Sequence, residues 1–320
     1  MIDGSAALYP VLVPLLAFAA DLLWGEPPAR LHPVVGMGCY LEWAGRRMAP
    51  DARSAPGGVA RSFFLGTLAW SMGALGVGCL AFGIEKACLM LPVWLAVPVL
   101  AFCLKPLFAW SMLADMVAQV EAALEMGEVA GRERLAHLVS RDVQSLDATA
   151  IRESSIETLA ENLSDSLVAP LFWFVLLGLP GCALYRFANT ADAMWGYPGW
   201  HAGRYWQWAG KWAARADDVL NWLPARLTAA LLMCGASLAD GGRLMREARR
   251  TPSPNGGWPM AAMALRLGVS LGKPGVYRLN PSAPPPQAVH IAQALCRAQH
   301  VACLAVVLCA GAGVWLRGGL

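Results

Sequence analysis

The chain has 320 residues, enough for one large domain or two ordinary ones, with 57% hydrophobic residues, 15% charged residues and 14 tryptophans. A soluble protein carries about 25% charged residues, so this composition excludes an ordinary soluble domain and points to an integral membrane protein. The formal net charge of +3, with lysines and arginines dispersed except at residues 243–250, excludes a nucleic-acid footprint.

Residues 6–23 are the first apolar stretch, long enough to cross a bilayer because a span needs roughly 20 residues. Pro10 and Pro14 kink it. Asp21 near its end is an acid at membrane depth or at the interface. No cleavable signal peptide is expected. The start lacks a basic region, and the run leads into Asp21-Leu-Leu-Trp-Gly-Glu26 rather than a small-residue cleavage site. Gly25, Pro27, Pro28 and Pro33 then prevent a continuous helix. His32, placed before Pro33, sits in extended or turn backbone. Residues 46–61 read as a basic linker rich in Pro and Gly.

Residues 62–84 carry no charge and predict a second span. Glu85-Lys86 reads as a polar turn, and residues 87–104 as the returning span, kinked at Pro92 and Pro98. From residue 107 to 138 the pattern becomes amphipathic, with Met112, Met116, Val120 and Leu124 on one face. Gly127 and Gly131 break it before a helix at 133–139.

Residues 140–173 read SRDVQSLDATAIRESSIETLAENLSDSLVAPLFW. Glu153, Glu157, Glu161 and Asp165 recur every four residues and so form a stripe on one helix face. Ile151, Ile156, Leu159, Ala160 and Leu163 take the other. No lysine or arginine follows these acids at the pairing distance, and Asn162 adds an uncharged oxygen beside Glu161. Two readings stand: a solvated acidic face, or a stripe that takes an external cation next to an apolar segment.

Residues 166–185 are uncharged, but Leu179-Pro180-Gly181 is a turn signal within them. The segment is either a bent span or a re-entrant hairpin, which is tolerated where it is buried in protein. Residues 185–229 collect Asn189, Thr190, Asp192, Asp217 and Asp218, with Lys211, Arg215 and Arg226 nearby. Their many Trp and Tyr residues read as an interfacial belt. Residues 227–239 are too short for a confident span, residues 241–286 read as loop-rich, and residues 298–316 as the last span.

The expected fold is therefore all-α: a polytopic integral membrane protein with about four to six transmembrane or re-entrant helices and cytoplasmic helical loops. It is expected to form one membrane-embedded domain over residues 1–320, with polar catalytic segments at 21–61, 140–166, 186–226 and 243–297. Loops at 24–61, 105–165 and 243–297 hold most Lys and Arg, which places them in the cytoplasm and the termini outside. If neither short segment crosses, all polar motifs share the cytoplasmic face. The nine cysteines form no CxxC pair and read as small hydrophobes, not as disulfides or metal ligands.

Hard oxygen ligands such as Glu157, Glu161, Asp165, Asp192, Asp217 and Asp218 suit Mg²⁺, which takes one or two carboxylates plus substrate phosphates. Arg141, Arg152, Lys211, Arg215 and Arg226 suit phosphate or carboxylate groups. No Walker A, dinucleotide fingerprint, HExxH or GxSxG motif is present. From the residues alone an enzyme and an ion-coupled transporter are equally good readings.

Six strings along the chain carry a resemblance. They are HPVVGMG at 32–38, SRDVQSLD at 140–147, IETLAENLSDSLVAPLFW at 156–173, NTADAMWGY at 189–197, ARADDVLNWLPARLTA at 214–229 and SPNGGWPMAAMA at 253–264. In that order, on a polytopic background, the chain resembles the CobD/CbiB family of cobalamin biosynthesis. WGYPGWHAGRYWQW at 195–208 departs from the plainer stretch of the family pattern, but no acid of the motifs is missing.

The resemblance implies an ATP-dependent acid–amine ligase of the bacterial cytoplasmic (inner) membrane, with its active site facing the cytoplasm. Such an enzyme joins aminopropanol or aminopropanol phosphate to a propionate of adenosylcobyric acid, with ATP as co-substrate and Mg²⁺ as cofactor. Corrinoid and amine are the substrates, and other cobalamin-pathway enzymes are possible partners on the cytoplasmic face. The alternative is a corrinoid-binding or ion-coupled transport subunit without its own chemistry.

The chemistry then distributes roles over the candidate residues. Glu157, Glu161, Asp165, His32 and Arg141 are expected in catalysis. Asn162, Asn189, Asp192, Arg215 and Arg226 are expected in substrate binding, and Glu161, Asp165, Asp192, Asp217 and Asp218 at metal. The stripe and residues 189–218 are expected to be halves of one site.

Overall fold

In lipid, backbone N–H and C=O groups find no water, and a helix satisfies them within itself. The computed structural model, which describes residues 9–51 and 58–317, accordingly places nearly all of the apolar sequence in helices. The helices are α1 (Tyr9–Trp24), α2 (Pro33–Met48), α3 (Val59–Leu89), α4 (Val93–Leu104), α5 (Trp110–Met126), α6 (Glu128–Leu135) and α7 (Ala148–Leu163). They continue with α8 (Ala169–Trp195), α9 (Lys211–Leu220), α10 (Trp222–Leu232), α11 (Leu238–Ala248), α12 (Gly257–Leu267) and α13 (Ala288–Arg317). Two small hairpins complete the described elements, β1 (Trp200–His201) with β2 (Arg204–Tyr205), and β3 (Leu271–Lys273) with β4 (Tyr277–Leu279).

Among the described residues, four helical stretches are long and apolar enough to cross a membrane: Val59–Leu89, Val93–Met126, Ala148–Trp195 and Ala288–Gly313. The protein is an all-α polytopic membrane protein. Several boundaries differ from the sequence expectation. α3 runs straight through Glu85-Lys86, and the turn falls at Met90–Pro92 instead. The returning helix α4 has 12 residues and continues through a 3₁₀ turn toward α5. α6 begins directly after Gly127 and holds Gly131 inside it. Residues 241–286, read as loop-rich, contain most of α11, all of α12 and the β3–β4 hairpin. Residues 6–8 of the first apolar stretch and 52–57 of the basic linker lie outside the described residues; the described part of that stretch, α1, is a 16-residue apolar helix.

The chain divides into two compact units. One takes the described residues of Met1–Phe108, Ala169–Leu220 and Leu308–Leu320; the other takes Ala109–Val168 and Asn221–Val307.

In the first unit α1 packs on α4, and α3 packs on α8 and α9. α8 is not a continuous rod. At Gly178 the backbone has φ 72° and ψ −156°, a combination open essentially to glycine alone. Gly181 then lies against the Trp173 carbonyl, eight residues back, where an unbroken helix would hold the two about 12 Å apart along its axis. The break exposes a helix start, and Glu85 of α3 fills it: its carboxylate accepts the Leu179 N–H at 2.6 Å. The Leu179-Pro180-Gly181 signal thus marks a true interruption of the apolar segment.

The same unit buries charge. Lys105 Nζ pairs with Asp21 Oδ1 at 3.1 Å and with Glu26 Oε1 at 2.9 Å. The Asp21 side chain is wholly enclosed by protein, with 0% exposure.

In the second unit α7 is central and packs on α5, α12 and β3. Asp147 caps its start by accepting from the Ala150 N–H at 2.8 Å. Ile151, Ile156, Leu159, Ala160 and Leu163 are all fully buried, as the helical period predicts. Ile151 joins a core with Val120, Leu124, Leu135, Val143 and Leu146.

Candidate functional site

The acidic stripe sits on α7, but it is not a solvated face. Glu153 and Glu157 are 3% and 4% exposed. Burying a carboxylate is costly unless it is paired, and each has a cation. Arg278 of β4 reaches Glu153 at 3.4 Å, and Arg141 reaches Glu157 Oε2 at 3.5 Å. The repeat of four also ends before Asp165. Ser164–Val168 form a π-helical turn, which shifts Asp165 out of line with Glu161. Such insertions are frequent at functional sites.

Around Glu157 and Glu161 the second unit opens a polar cleft of about 200 Å³. Arg141 with its neighbours Val139 and Ser140 forms one wall, and Asn162 continues the α7 side. Lys273 and Tyr277 enter from the β3–β4 hairpin, and Met260 from α12. The Tyr277 hydroxyl donates to Met260 Sδ at 3.7 Å, and burial first, then the nearby Glu157 charge, push its phenol up.

The SPNGG segment lies against Glu161. A Cβ at Gly256 would stand 2.5 Å from Glu161 Oε1, so glycine lets the loop approach the carboxylate. Ser253 Oγ accepts from the Asn255 and Gly256 N–H groups at 3.2 and 3.0 Å. Arg226 ties this loop to α10. It donates to the Trp222 carbonyl at 2.7 Å and to Asn255 Oδ1 and the Pro254 carbonyl at 3.3 Å. Its guanidinium lies over the Trp222 and Trp258 rings at 4.1 and 4.8 Å. Arg226, expected to bind substrate, therefore makes framework contacts. Asp165 accepts a hydrogen bond from Asn221, whose own amide oxygen faces Ser164 Oγ at 3.4 Å.

The remaining predicted residues belong to the first unit. Asn189 donates to Asp217 Oδ1 at 3.4 Å and accepts from Arg186 at 3.4 Å. Asp218 pairs with Arg215 at 3.4 Å and lies within electrostatic reach of Asp192. Burial pushes Asp218 above the ordinary carboxylate range, against the pull of Arg215. α8 and α9, packed together, thus gather Asn189, Asp192, Asp217 and Asp218.

His32 caps α2. Its Nδ1 accepts from the Val34 N–H at 3.3 Å, and its Nε2 meets Glu26 at 3.0 Å. An Nδ1 that accepts leaves Nε2 as the protonated nitrogen, so the neutral ring donates to Glu26 and its lone pair is occupied.

Among the described residues no three or more of His, Cys, Asp and Glu are grouped to hold a metal ion. A Mg²⁺ ion does not need such a group, because one or two carboxylates with phosphate oxygens and waters complete its shell. The acids of the cleft fit that mode.

Lys273, Tyr277 and the pairing of Glu153 with Arg278 were not anticipated. The available signal was LGKPGVYRL, two short runs around Pro-Gly, which is a hairpin signature. Lys105, the partner of Asp21, was likewise missed.

The family model for the CobD/Cbib protein matches residues 14–302. The chain is 40% identical over 284 residues to the probable cobalamin biosynthesis protein CobD of Methanothermobacter thermautotrophicus, covering 84% of this chain and 86% of that one. It is 38% identical to the cobalamin biosynthesis protein CobD of Chromobacterium violaceum, over 84% of this chain and 82% of that protein. The CobD protein of Brucella suis is 36% identical, over 83% of each chain. No solved structure matches the chain.

Proposed function

Since the chain belongs to the CobD/CbiB family of cobalamin biosynthesis, we propose that it is the amide-forming synthase of that pathway. It joins aminopropanol or aminopropanol phosphate to a propionate of adenosylcobyric acid at the expense of ATP. The observation that carries the reading is the polar cleft on α7. It sets the buried Glu157, held by Arg141 at 3.5 Å, beside Glu161 and Asn162.

The chemistry explains why such a cleft is needed. A carboxylate is a poor electrophile at neutral pH, so its oxygen must become a leaving group. Phosphoryl transfer from ATP to the propionate gives an acyl phosphate and ADP. The amine then attacks the acyl carbon, the C–O bond to phosphate breaks, and amide and inorganic phosphate result. Mg²⁺ bound to the phosphates would neutralise their charge. Glu161, one turn beyond Glu157, faces the cleft and takes the proton the amine loses on attack. Arg141 balances the charge that develops on the acyl oxygens, and Asn162 orients the substrate by hydrogen bonds.

The cleft opens to the cytoplasm in this reading. Lys and Arg are concentrated in the polar segments of this unit, and positively charged segments stay inside. A single cysteine at the exposed Ser140 should react with reagents confined to the cytoplasmic side. Labelling from the opposite side only would refute this orientation.

The reaction is tested with detergent-purified protein given adenosylcobyric acid, aminopropanol phosphate, aminopropanol, ATP and Mg²⁺, with the corrinoid products resolved by mass. An ATP-dependent amide product is expected. Folded protein that binds the corrinoid but forms no amide would instead favour a binding or transport subunit.

A further inference from the structure

Among the described residues, the cleft has one cation without an ion pair. Arg141 pairs with Glu157 and Arg278 with Glu153. Lys273 lines the cleft beside them, yet among the described residues its ammonium has no ion pair and no side-chain hydrogen bond. Its side chain is exposed at the rim of the cleft, and the hairpin backbone that carries it is fixed. β3 and β4 pair in antiparallel register, with Lys273 opposite Tyr277 and Leu271 opposite Leu279. Leu271 and Leu279 are fully buried and anchor the hairpin. Directly opposed residues project to one face of a hairpin, so Lys273 and Tyr277 present themselves to the cleft together. Arg278, one residue on, points to the other face.

Size and charge narrow what the cleft takes. Drug-sized ligands occupy pockets of about 300–1,000 Å³, and this cleft has about 200 Å³. It is too small to enclose a corrin or a whole nucleotide. Carboxylates of Glu157 and Glu161 and the ammonium of Lys273 line the same cleft. That arrangement complements a small dipolar molecule, cationic at one end and anionic at the other.

We propose that Lys273 is a specificity-determining residue of the synthase: it binds a phosphate group at the far end of the amine substrate, whose amino end faces Glu157 and Glu161. The assignment rests on the reading of this cleft given above. It selects the phosphorylated amine over the neutral alcohol, because only the phosphate returns the charge-assisted hydrogen bond that Lys273 offers.

The test uses the full chain in detergent, as wild type, Lys273→Ala and Lys273→Arg. Direct binding of aminopropanol phosphate, aminopropanol and ATP is measured by calorimetry, and turnover is measured with each amine. Lys273→Ala is expected to weaken binding of aminopropanol phosphate about tenfold or more and to raise its KM with little change in kcat. Binding of aminopropanol and ATP stays as in wild type, and Lys273→Arg recovers most of the loss. Equal losses for both amines, unchanged affinity for the phosphate, or a loss confined to ATP would each overturn the proposal. Wild type that binds neither amine would overturn it too. Wild-type protein that binds the phosphorylated amine through Lys273 but forms no amide would count against the synthase reading alone.

Discussion

Arg141 Nη2 stands 3.5 Å from Glu157 Oε2, and the Glu157 side chain is only 5% exposed. The pair joins the SRDVQSLD string to the helix that carries IETLAENL, and it decides the stability of the cleft wall. Removing one member of a buried pair strands the other charge, which is worse than never having had it. Arg141→Ala should therefore lower the detergent melting temperature clearly, by a loss on the order of 3 kcal/mol. The double variant Arg141→Ala/Glu157→Gln should recover much of that. Additive losses in the double-mutant cycle would show that the two side chains do not interact.

In the proposed reaction Glu161 takes the proton that the amine loses. Glu161→Gln keeps shape and removes the charge. Turnover should fall about a hundredfold or more, with membrane insertion and melting temperature close to wild type. A variant with full turnover would place Glu161 outside the chemistry.

Gly256 gives the same residue a second test. Its replacement by Ala puts a methyl group 2.5 Å from the Glu161 carboxylate oxygen, which can move only by leaving its position. Gly256→Ala should lower kcat while substrate binding to the folded protein persists. Unchanged kcat would mean that the SPNGG loop does not position Glu161.

Gly178 and Glu85 predict a stability effect within the first unit. No side chain is comfortable at φ 72° and ψ −156°, so Gly178→Ala should cost about 1–3 kcal/mol. Glu85→Ala removes the acceptor from the Leu179 N–H and should cost about 0.5–2 kcal/mol, the usual worth of a helix cap. Thermal unfolding in detergent measures both. A neutral Gly178→Ala would contradict the break in α8.

Lys105 and Asp21 give a buried pair in the other unit, with side chains 8% and 0% exposed. Lys105→Met leaves Asp21 uncompensated and should destabilise by about 3–5 kcal/mol. Adding Asp21→Asn should restore part of that loss in the same unfolding measurement; no recovery would argue against the pairing.

Local patterns were legible in the sequence, and long-range ones were not. The period of Ile151, Ile156, Leu159 and Leu163 gave the buried face of α7, and Leu179-Pro180-Gly181 marked the interruption of α8. The acids misled because periodicity reports a face and not what covers it. Arg278, 125 residues from Glu153, turns a stripe that looks solvated into a buried, paired one. Glu85-Lys86 resembled a turn for the same reason: charge within an apolar run suggests an end, yet Glu85 serves a helix start 94 residues away. The π turn at Ser164–Val168 leaves no local signature either. Lys273 was hidden in a stretch read as loop, where only the hairpin register gives its side chain a direction.

The central claim is that this chain activates a carboxylate and passes it to an amine. Oxygen transfer tests that most directly. Adenosylcobyric acid with its reacting propionate labelled in ¹⁸O is incubated with the purified protein, aminopropanol phosphate, ATP and Mg²⁺, and the released inorganic phosphate is weighed by mass spectrometry. Activation through an acyl phosphate predicts one labelled oxygen in the phosphate for each amide formed. Amide formed with wholly unlabelled phosphate would contradict it.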